Sequence, residues 1–495
     1  MKKILILFLL VSLLFGCAPK KEATNNNGSV YYEIFVASFH DSDGDGVGDL
    51  NGIIEKLDYL QDLGISGIWL MPIHPSNTYH KYDVLDYMAI DESYGTIEDF
   101  KVLVQEAKKH NIDIIIDLVL NHTSSKHPWF KEAKDAVMND TCDTTNKCEY
   151  YHFSESIKKG YTRIHDQLFY EAVFWSEMPD LNLANQDVRK EIESIVDFWL
   201  DLGVKGFRLD APYHYFDHNT GLNNEFLAWL TTYVKSKRED AFMVGEVWAD
   251  QQTVLNHFES GLDSFFDFAS SNTDGRIVSA LRSKNGHVLS QYLADYYNAI
   301  KNMNEEAISS IFLSNHDQGR SAAFFLDEQQ RKLAASIYLL APAMPFVYYG
   351  EEIGMLGSGR DENKRLAMVW GEGKDAKSPK DADYTEEFNS SVKEQLKDKN
   401  SLLNHYKKVI HLRNQYLDIQ NVKIQAYLFK NKHLCAIEYI HENKTVMVVH
   451  NLSGETIVDE LAGYKIVDQV VLSEKATIQQ DQLTIAPYST VILNK

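Results

Sequence analysis

The sequence predicts an α/β protein: a closed (β/α)8 barrel of parallel strands, with an inserted domain after the third strand and a C-terminal antiparallel β-sandwich. Three observations carry that prediction. Eight short apolar runs recur along residues 30–352, and stretches apolar at three- and four-residue intervals separate most of them. Eight such units favour a closed parallel barrel over an open doubly wound sheet. Beyond residue 418 the helical period gives way to short alternating runs.

Taken in order, residues 1–17, MKKILILFLLVSLLFGC, place two lysines before an apolar run too short and too early to be a stable span. That is the pattern of a secretory signal. It closes on Leu14-Phe15-Gly16-Cys17, which resembles a bacterial lipobox and implies lipidation of Cys17. Residues 18–29, APKKEATNNNGS, read as a flexible tether. The expectation is an exported lipoprotein, held to a cell-surface or periplasmic membrane face by acyl chains and without a transmembrane helix.

The barrel is assigned to residues 30–122 and 180–418. YYEIFVASF, SGIWLMPI and IDIIIDLVL supply three strands, with GIIEKLDYLQDLG and IEDFKVLVQEAKKHN as the helices between them. The next strand, VKGFRLD, begins only at residue 204, whereas one helix needs about fifteen to twenty residues. The polar, aromatic, Cys-containing excess at 123–179 is read as the inserted domain, and VRKEIESIVDFWLDLG as the returning helix. AFMVGEVW, LDSFFDF, ISSIFLSNHD and MPFVYYGEE complete the barrel. Residues 419–495 carry KIQAYLF, LCAIEYI, TVMVVHN, KIVDQVVL and STVILN, the strands of the sandwich.

With 49 Lys and Arg against 71 Asp and Glu, the formal charge is −22. Such a chain repels nucleic acid and anionic lipid, and the sequence carries no local basic patch to reverse that. The Cys142 and Cys148 pair brackets the polar loop DTTNK, and a disulfide between them fits an oxidising compartment. Cys435, in HLCAIEYI, reads as a buried thiol.

Barrels of this kind build their sites at the C-terminal ends of the strands. There the sequence places His40 and Asp41, then Asp117, Asn121 and His122, then Arg208, Asp210 and His214, then Glu246, then His316 and Asp317. Arg208 and Asp210 stand two positions apart and so share the inner face of their strand. A guanidinium and a carboxylate there are costly to bury unless paired or used.

DLVLNH, GFRLDAPYH, GEVW and FLSNHD, in this order, resemble the four short motifs of the α-amylase family of glycoside hydrolases. MPDLN at 178–182 resembles that family's fifth motif, and the likeness extends from Val30 to the last residue. The resemblance implies Asp210 as nucleophile, Glu246 as acid and base, and Asp317 as the third carboxylate gripping sugar hydroxyls. Arg208 would then keep Asp210 ionised, while Glu246 needs a raised pKa. His122, His214 and His316 are expected to contact substrate, with Tyr82 stacking on the sugar ring. Arg320 resembles a substrate-contacting arginine of glucosidase-like members.

HDSDGDGVGDLNG repeats acidic residues at alternate positions. Asp41, Asp43, Asp45 and Asp49, with the Val47 carbonyl, offer oxygens to one hard cation. The loop mimics the first nine positions of an EF-hand but has Gly52, not Glu, at the twelfth. A similar loop carries Ca2+ in α-glucosidase-like and some amylase-like members of the family, and the resemblance implies a structural Ca2+ here.

Ala211, after the implied nucleophile, and MPDLN rather than QPDLN both favour α-1,4 over α-1,6 cleavage by the same resemblance. Tyr213 stands where many α-amylases have lysine, and KRLAMVW departs from the RTPMQW of close relatives. The expected protein is a monomeric endo-acting α-amylase on starch, glycogen or maltodextrins, retaining anomeric configuration. The alternatives are an α-glucosidase or transglycosylase on malto-oligosaccharides, and, in another class, a non-catalytic glucan-binding or transport-partner protein.

Overall fold

The structure, a computed structural model, describes residues 30–495 apart from 166, 326, 374, 384–389, 421 and 472–473. The signal, the tether and Cys17 lie outside the described residues. None of the described helices is long and apolar enough to cross a membrane.

Eight strands close the barrel: β1 (Tyr31–Ile34), β2 (Gly67–Leu70), β3 (Asp113–Leu118), β4 (Gly206–Leu209), β5 (Phe242–Gly245), β6 (Ser264–Phe266), β7 (Ile308–Ile311) and β8 (Met344–Tyr348). Each pairs in parallel with its sequence neighbours, and β1 closes the ring against β8. The strands are buried both toward the lumen and toward the surrounding helices, which is why they read as continuous apolar runs. The first run makes a shorter strand than its apolar length suggests: after Ile34 the chain turns into a 3-10 segment, Val36–Ser38.

The outer helices start at strong caps. Thr96 and Asp99 form a capping box for Ile97–Lys109. The Asn185 side chain accepts from the Asp187 and Val188 N–H groups at the start of Gln186–Asp201. That helix lays Val188, Ile192, Ile195, Val196 and Trp199 on the barrel, and the Trp199 indole donates to the Tyr87 carbonyl at 2.8 Å.

Between β3 and that helix stand the helix Pro128–Met138 and a three-stranded antiparallel sheet ordered Phe153–Ser154, Leu168–Glu171, Tyr161–His165. Cys142 and Cys148 are joined in a disulfide. Bridges from His122 to Asp180 and from Tyr151 to Leu181 stitch the segment's two ends to the barrel rim.

The C-terminal region is two antiparallel sheets. Five strands run in the order Lys423–Ala426, Leu434–Ile440, Thr445–Asn451, Thr490–Asn494, Lys465–Val470. The other layer, Ile457–Glu460, Gln482–Ile485 and Thr477–Gln479, has strands too short and polar to stand out in the sequence. Met447, Val449, Leu483, Ile485 and Leu493 share one apolar cluster between the layers. The opposite face of the five-stranded sheet joins the barrel core through Cys435, Ile437 and Val448, so its central strands are apolar on both sides.

Candidate active site

Arg208 of β4 lies in register with Asp117 of β3. Its fully buried Nη1 donates to Asp117 at 2.8 and 3.0 Å and to Asp210 Oδ1 at 2.7 Å. Nη2 stands 2.8 Å from Glu246 Oε2, an ion pair without hydrogen-bond alignment. The guanidinium rests over Trp69, 5.0 Å from the ring centre. One buried cation therefore faces three carboxyl groups, and three full negative charges cannot persist around it in a dry site. The proton settles on the acid with the poorest cation contact. Burial pushes Glu246 up to about 8, with Asp210 and Asp317 adding to the shift against Arg208. Burial also raises Asp117, to about 6, against the pull of Arg208.

Asp317 sits in the opposite field. Burial works against its charge, yet His316 at 3.0 Å and Arg365 at 3.2 Å hold its carboxyl well below the usual carboxylate range. Burial likewise opposes charge on His316, but Asp317 and Glu33, whose Oε1 lies 2.5 Å from Nδ1, lift it to about 10. His316 is thus an imidazolium clamped between two carboxylates, with the Tyr82 hydroxyl 2.9 Å from Nε2.

Ala211, directly after Asp210, takes a left-handed conformation at φ 46° and ψ 43°. A non-glycine residue there costs about 1–2 kcal/mol. It starts the turn that carries Pro212–His214 along the rim.

Asp210, Glu246, Asp317, Tyr82, His122 and His214 line a single cleft of about 340 Å³. His122 is buried, kept neutral by that burial, and neither ring nitrogen has a hydrogen-bond partner among the described residues. His214 is held below the ordinary histidine range by burial and by His218. Arg208 lies beneath the carboxyl groups, and His316, 1% exposed, stands behind Asp317 and Tyr82 instead of lining the cleft. Arg320 is placed differently from the sequence expectation. It is buried, donates from Nη1 to the Tyr349 carbonyl at 2.6 Å, and lies over the Tyr348 and Tyr349 rings at 4.5 and 4.7 Å, away from the cleft.

Sequence reasoning missed Arg365, Asp361 and His80. All three line the cleft, and Arg365 bridges Asp317 and Asp361. Their signals were a cation opening the apolar run RLAMVW and a histidine beside Tyr82 in HKYDVLDY.

In the loop after β1, Asp41, Asp43 and Asp49 each bring one carboxylate oxygen within 4.8 Å of the others. Gly44 and Gly46, at φ +89° and +100°, curl the chain so that both N–H groups point into the Asp41 carboxylate, at 2.6 and 2.7 Å. Burial opposes charge on Asp41, but these donors hold it below the usual range. An all-carboxylate oxygen set of this kind fits a hard cation such as Ca2+. Asp45 lies outside that trio, accepting the Val47 N–H at 2.7 Å.

Residues 33–421 match the family described as alpha amylase, catalytic domain. The chain belongs to the α-amylase family. Residues 434–492 match the C-terminal domain described for the α-amylase SusG. A relative named alpha-amylase 3, from Dictyoglomus thermophilum, is 38% identical over 99% of this chain and 98% of its own length. A 4-alpha-glucanotransferase from Thermotoga neapolitana is 31% identical over 87% of this chain and 97% of its own. The solved structure of Eubacterium rectale Amy13B superposes with a TM-score of 0.90 at 37% identity, covering 95% of this chain and 96% of that one. The protein is an α-amylase-family glycoside hydrolase, and glucan is the substrate consistent with that family.

Proposed function

We propose that this α-amylase-family enzyme hydrolyses internal α-1,4 bonds of starch, glycogen or maltodextrins with retention of configuration. The observation that carries the reading is the single Arg208 guanidinium contacting both Asp210 and Glu246 while Glu246 keeps a proton to about pH 8. Two carboxyl groups sharing one cleft, with Glu246 pushed toward its acid form, suit a double displacement, which needs them about 5–5.5 Å apart. Asp210 attacks the anomeric carbon as Glu246 gives its proton to the glycosidic oxygen, and the C–O bond to the leaving chain breaks. The Glu246 carboxylate then takes a proton from water, whose oxygen displaces Asp210 from the same carbon. Two inversions give net retention. Asp317, kept ionised, grips hydroxyls of the bound sugar, and His122 in the same cleft wall serves others.

Calcium at Asp41, Asp43 and Asp49 belongs to this proposal as a structural ion that ties down the loop after β1; the chemistry routes through no metal. Surface anchoring through Cys17 also remains a proposal, tested by release of a Cys17→Ala variant into the soluble fraction.

Product profiling on amylose, maltotriose, isomaltose and pullulan tests the main reading. Mid-length fragments from amylose support it. Glucose released singly from chain ends overturns it in favour of an α-glucosidase. Products longer than the substrate favour transfer, a second reading supported by the likeness to the Thermotoga glucanotransferase.

A further inference from the structure

One carboxylate of the barrel core has no part in the double displacement. Glu33 stands in β1, a strand buried along its whole length, in register with Trp69 of β2 and Tyr348 of β8, and is itself 1% exposed. A carboxylate there is costly unless it is paired. Its ion-pair partner is His316, carried by the loop after β7, with Glu33 Oε1 2.5 Å from Nδ1. On the far side of the same ring, Nε2 stands 3.0 Å from Asp317 Oδ2 and 2.9 Å from the Tyr82 hydroxyl.

The neighbours fix where the protons of that ring belong. An ionised carboxylate only accepts, so Nδ1 donates to Glu33. A bare Nε2 would aim its lone pair at the Asp317 carboxylate and would draw off the Tyr82 proton, which goes instead to Asp117 Oδ2 at 3.2 Å. Both nitrogens therefore carry protons, and the ring is a cation locked between β1 and the cleft wall. Trp69 meets it edge-on at 5.6 Å, and Tyr82 stacks on it at 5.7 Å. Its charge reaches past Asp317, working on Asp117 and Glu246 in the same direction as Arg208, while Arg365 holds Asp317 from another side. Tyr348 of β8 also senses Glu33.

We propose that Glu33 is a positioning residue for the hydrolysis: its hydrogen bond to Nδ1 fixes the His316 ring and leaves Nε2 as the donor that holds Asp317 and Tyr82 in place. Glu33 touches no substrate, because it does not line the cleft and His316 stands between it and Asp317. Its charge matters as well as its shape. Without that charge, a cationic His316 is left uncompensated near Glu246 and favours loss of the Glu246 proton. A His316 that turns neutral instead leaves Asp317 without its donor. Either outcome removes the active form at a lower pH than in the parent. This inference deepens the proposed function and rests on it.

The test is the pH profile of kcat/KM on maltoheptaose, which an amylase or an α-glucosidase would cleave. Glu33→Gln keeps the size and an acceptor for Nδ1 but not the charge. Its alkaline limb, expected near pH 8 in the parent, should move down by about one pH unit. Activity relative to the parent then falls about tenfold at about pH 9 and less than about threefold at about pH 6. Glu33→Asp retains the charge and should keep the limb at the parent position, whatever it costs in rate. A Glu33→Gln loss that is equal at every pH is that of a purely structural ion pair and overturns the proposal. Nitrogen-15 NMR of the histidine-labelled parent reads the ring directly, with His316→Gln identifying the signal. Both His316 nitrogens should be protonated at about pH 8.5, where an ordinary histidine is neutral. A neutral ring there overturns the proposal even if Glu33→Gln does not fold. A parent that leaves maltoheptaose intact instead overturns the proposed function, and the role of Glu33 in hydrolysis with it, while the NMR signal still reports its hold on His316.

Discussion

Two regions of this protein gather three carboxyl groups, and they resolve the same electrostatic problem in opposite ways. Asp117, Asp210 and Glu246 share the fully buried Arg208 guanidinium at the foot of the cleft, and burial pushes the Glu246 carboxyl up to about 8, so that it retains a proton that offsets part of the surplus charge. In the loop after β1, where the Lys377 side chain packs against Gly46, Asp41, Asp43 and Asp49 converge, and backbone donors hold Asp41 below the usual carboxylate range. The first cluster is built to move a proton. In the second, the donors on Asp41 favour its carboxylate form, the form that ligates a cation. Burial against a fixed cation, rather than the number of acids, decides which outcome a cluster takes.

The sharpest way to break this contrast is to remove one member of the buried cluster. Asp210→Asn is expected to lower hydrolysis of amylose by about ten-thousand-fold or more while circular dichroism stays native. Near-normal activity in that variant would end the proposed mechanism. Glu246→Gln comes next, with a loss of about 100- to 10,000-fold as an acid–base residue. In the parent, kcat/KM should fall as pH rises through about 8, because the acid form of Glu246 is the one that acts.

Stability supplies an independent reading of the same proton. Below the ordinary glutamate value of 4.5 both folded and unfolded chains bind it. From there to about 8 the unfolded chain sheds it and the native site keeps it, so the parent loses stability as pH climbs, and above about 8 the loss is complete. Glu246→Gln lacks that loss, and its stability relative to the parent should therefore grow across this window in denaturant titrations. A pH-independent difference would place the proton elsewhere.

How much of this was legible before the structure follows from range. The eight strands were visible because parallel strands buried on both faces read as apolar runs, and Asp210 and Glu246 because each directly follows such a strand; Asp317 lies in the loop beyond Ile311, where β7 ends, and was legible from the motif FLSNHD. What period and position cannot carry is the direction of a side chain beyond the strand. Arg320, three residues past Asp317, turned under Tyr348 and Tyr349, while Arg365, 48 residues away, reached Asp317. Asp117 was visible as a rim acid, but its place as the second partner of Arg208 depends on the β3–β4 register, which one strand alone does not give.

The acidic loop carries the smaller expected effects. Chelation of calcium should lower the thermal midpoint by several degrees, since an ion present at about 100 times its Kd stabilises the native state by about 2.7 kcal/mol. A metal-depleted preparation with an unchanged midpoint removes the ion from the proposal. Within the loop the finer comparison is Asp43 against Asp45. Both are exposed and each accepts a backbone N–H two residues on, Asp43 Oδ1 from Asp45 at 3.1 Å and Asp45 Oδ1 from Val47 at 2.7 Å, but Asp43 also brings an oxygen to the converging trio. Asparagine at 45 keeps an acceptor for the Val47 N–H, so the turn survives the substitution. Asp43→Asn, which removes a charge from the trio itself, should weaken calcium binding about tenfold in calorimetric titration, and Asp45→Asn by less than about threefold. If the two variants weaken binding equally, Asp45 swings inward to ligate the ion, and the alternate-acid pattern of the sequence describes the bound loop better than the trio does.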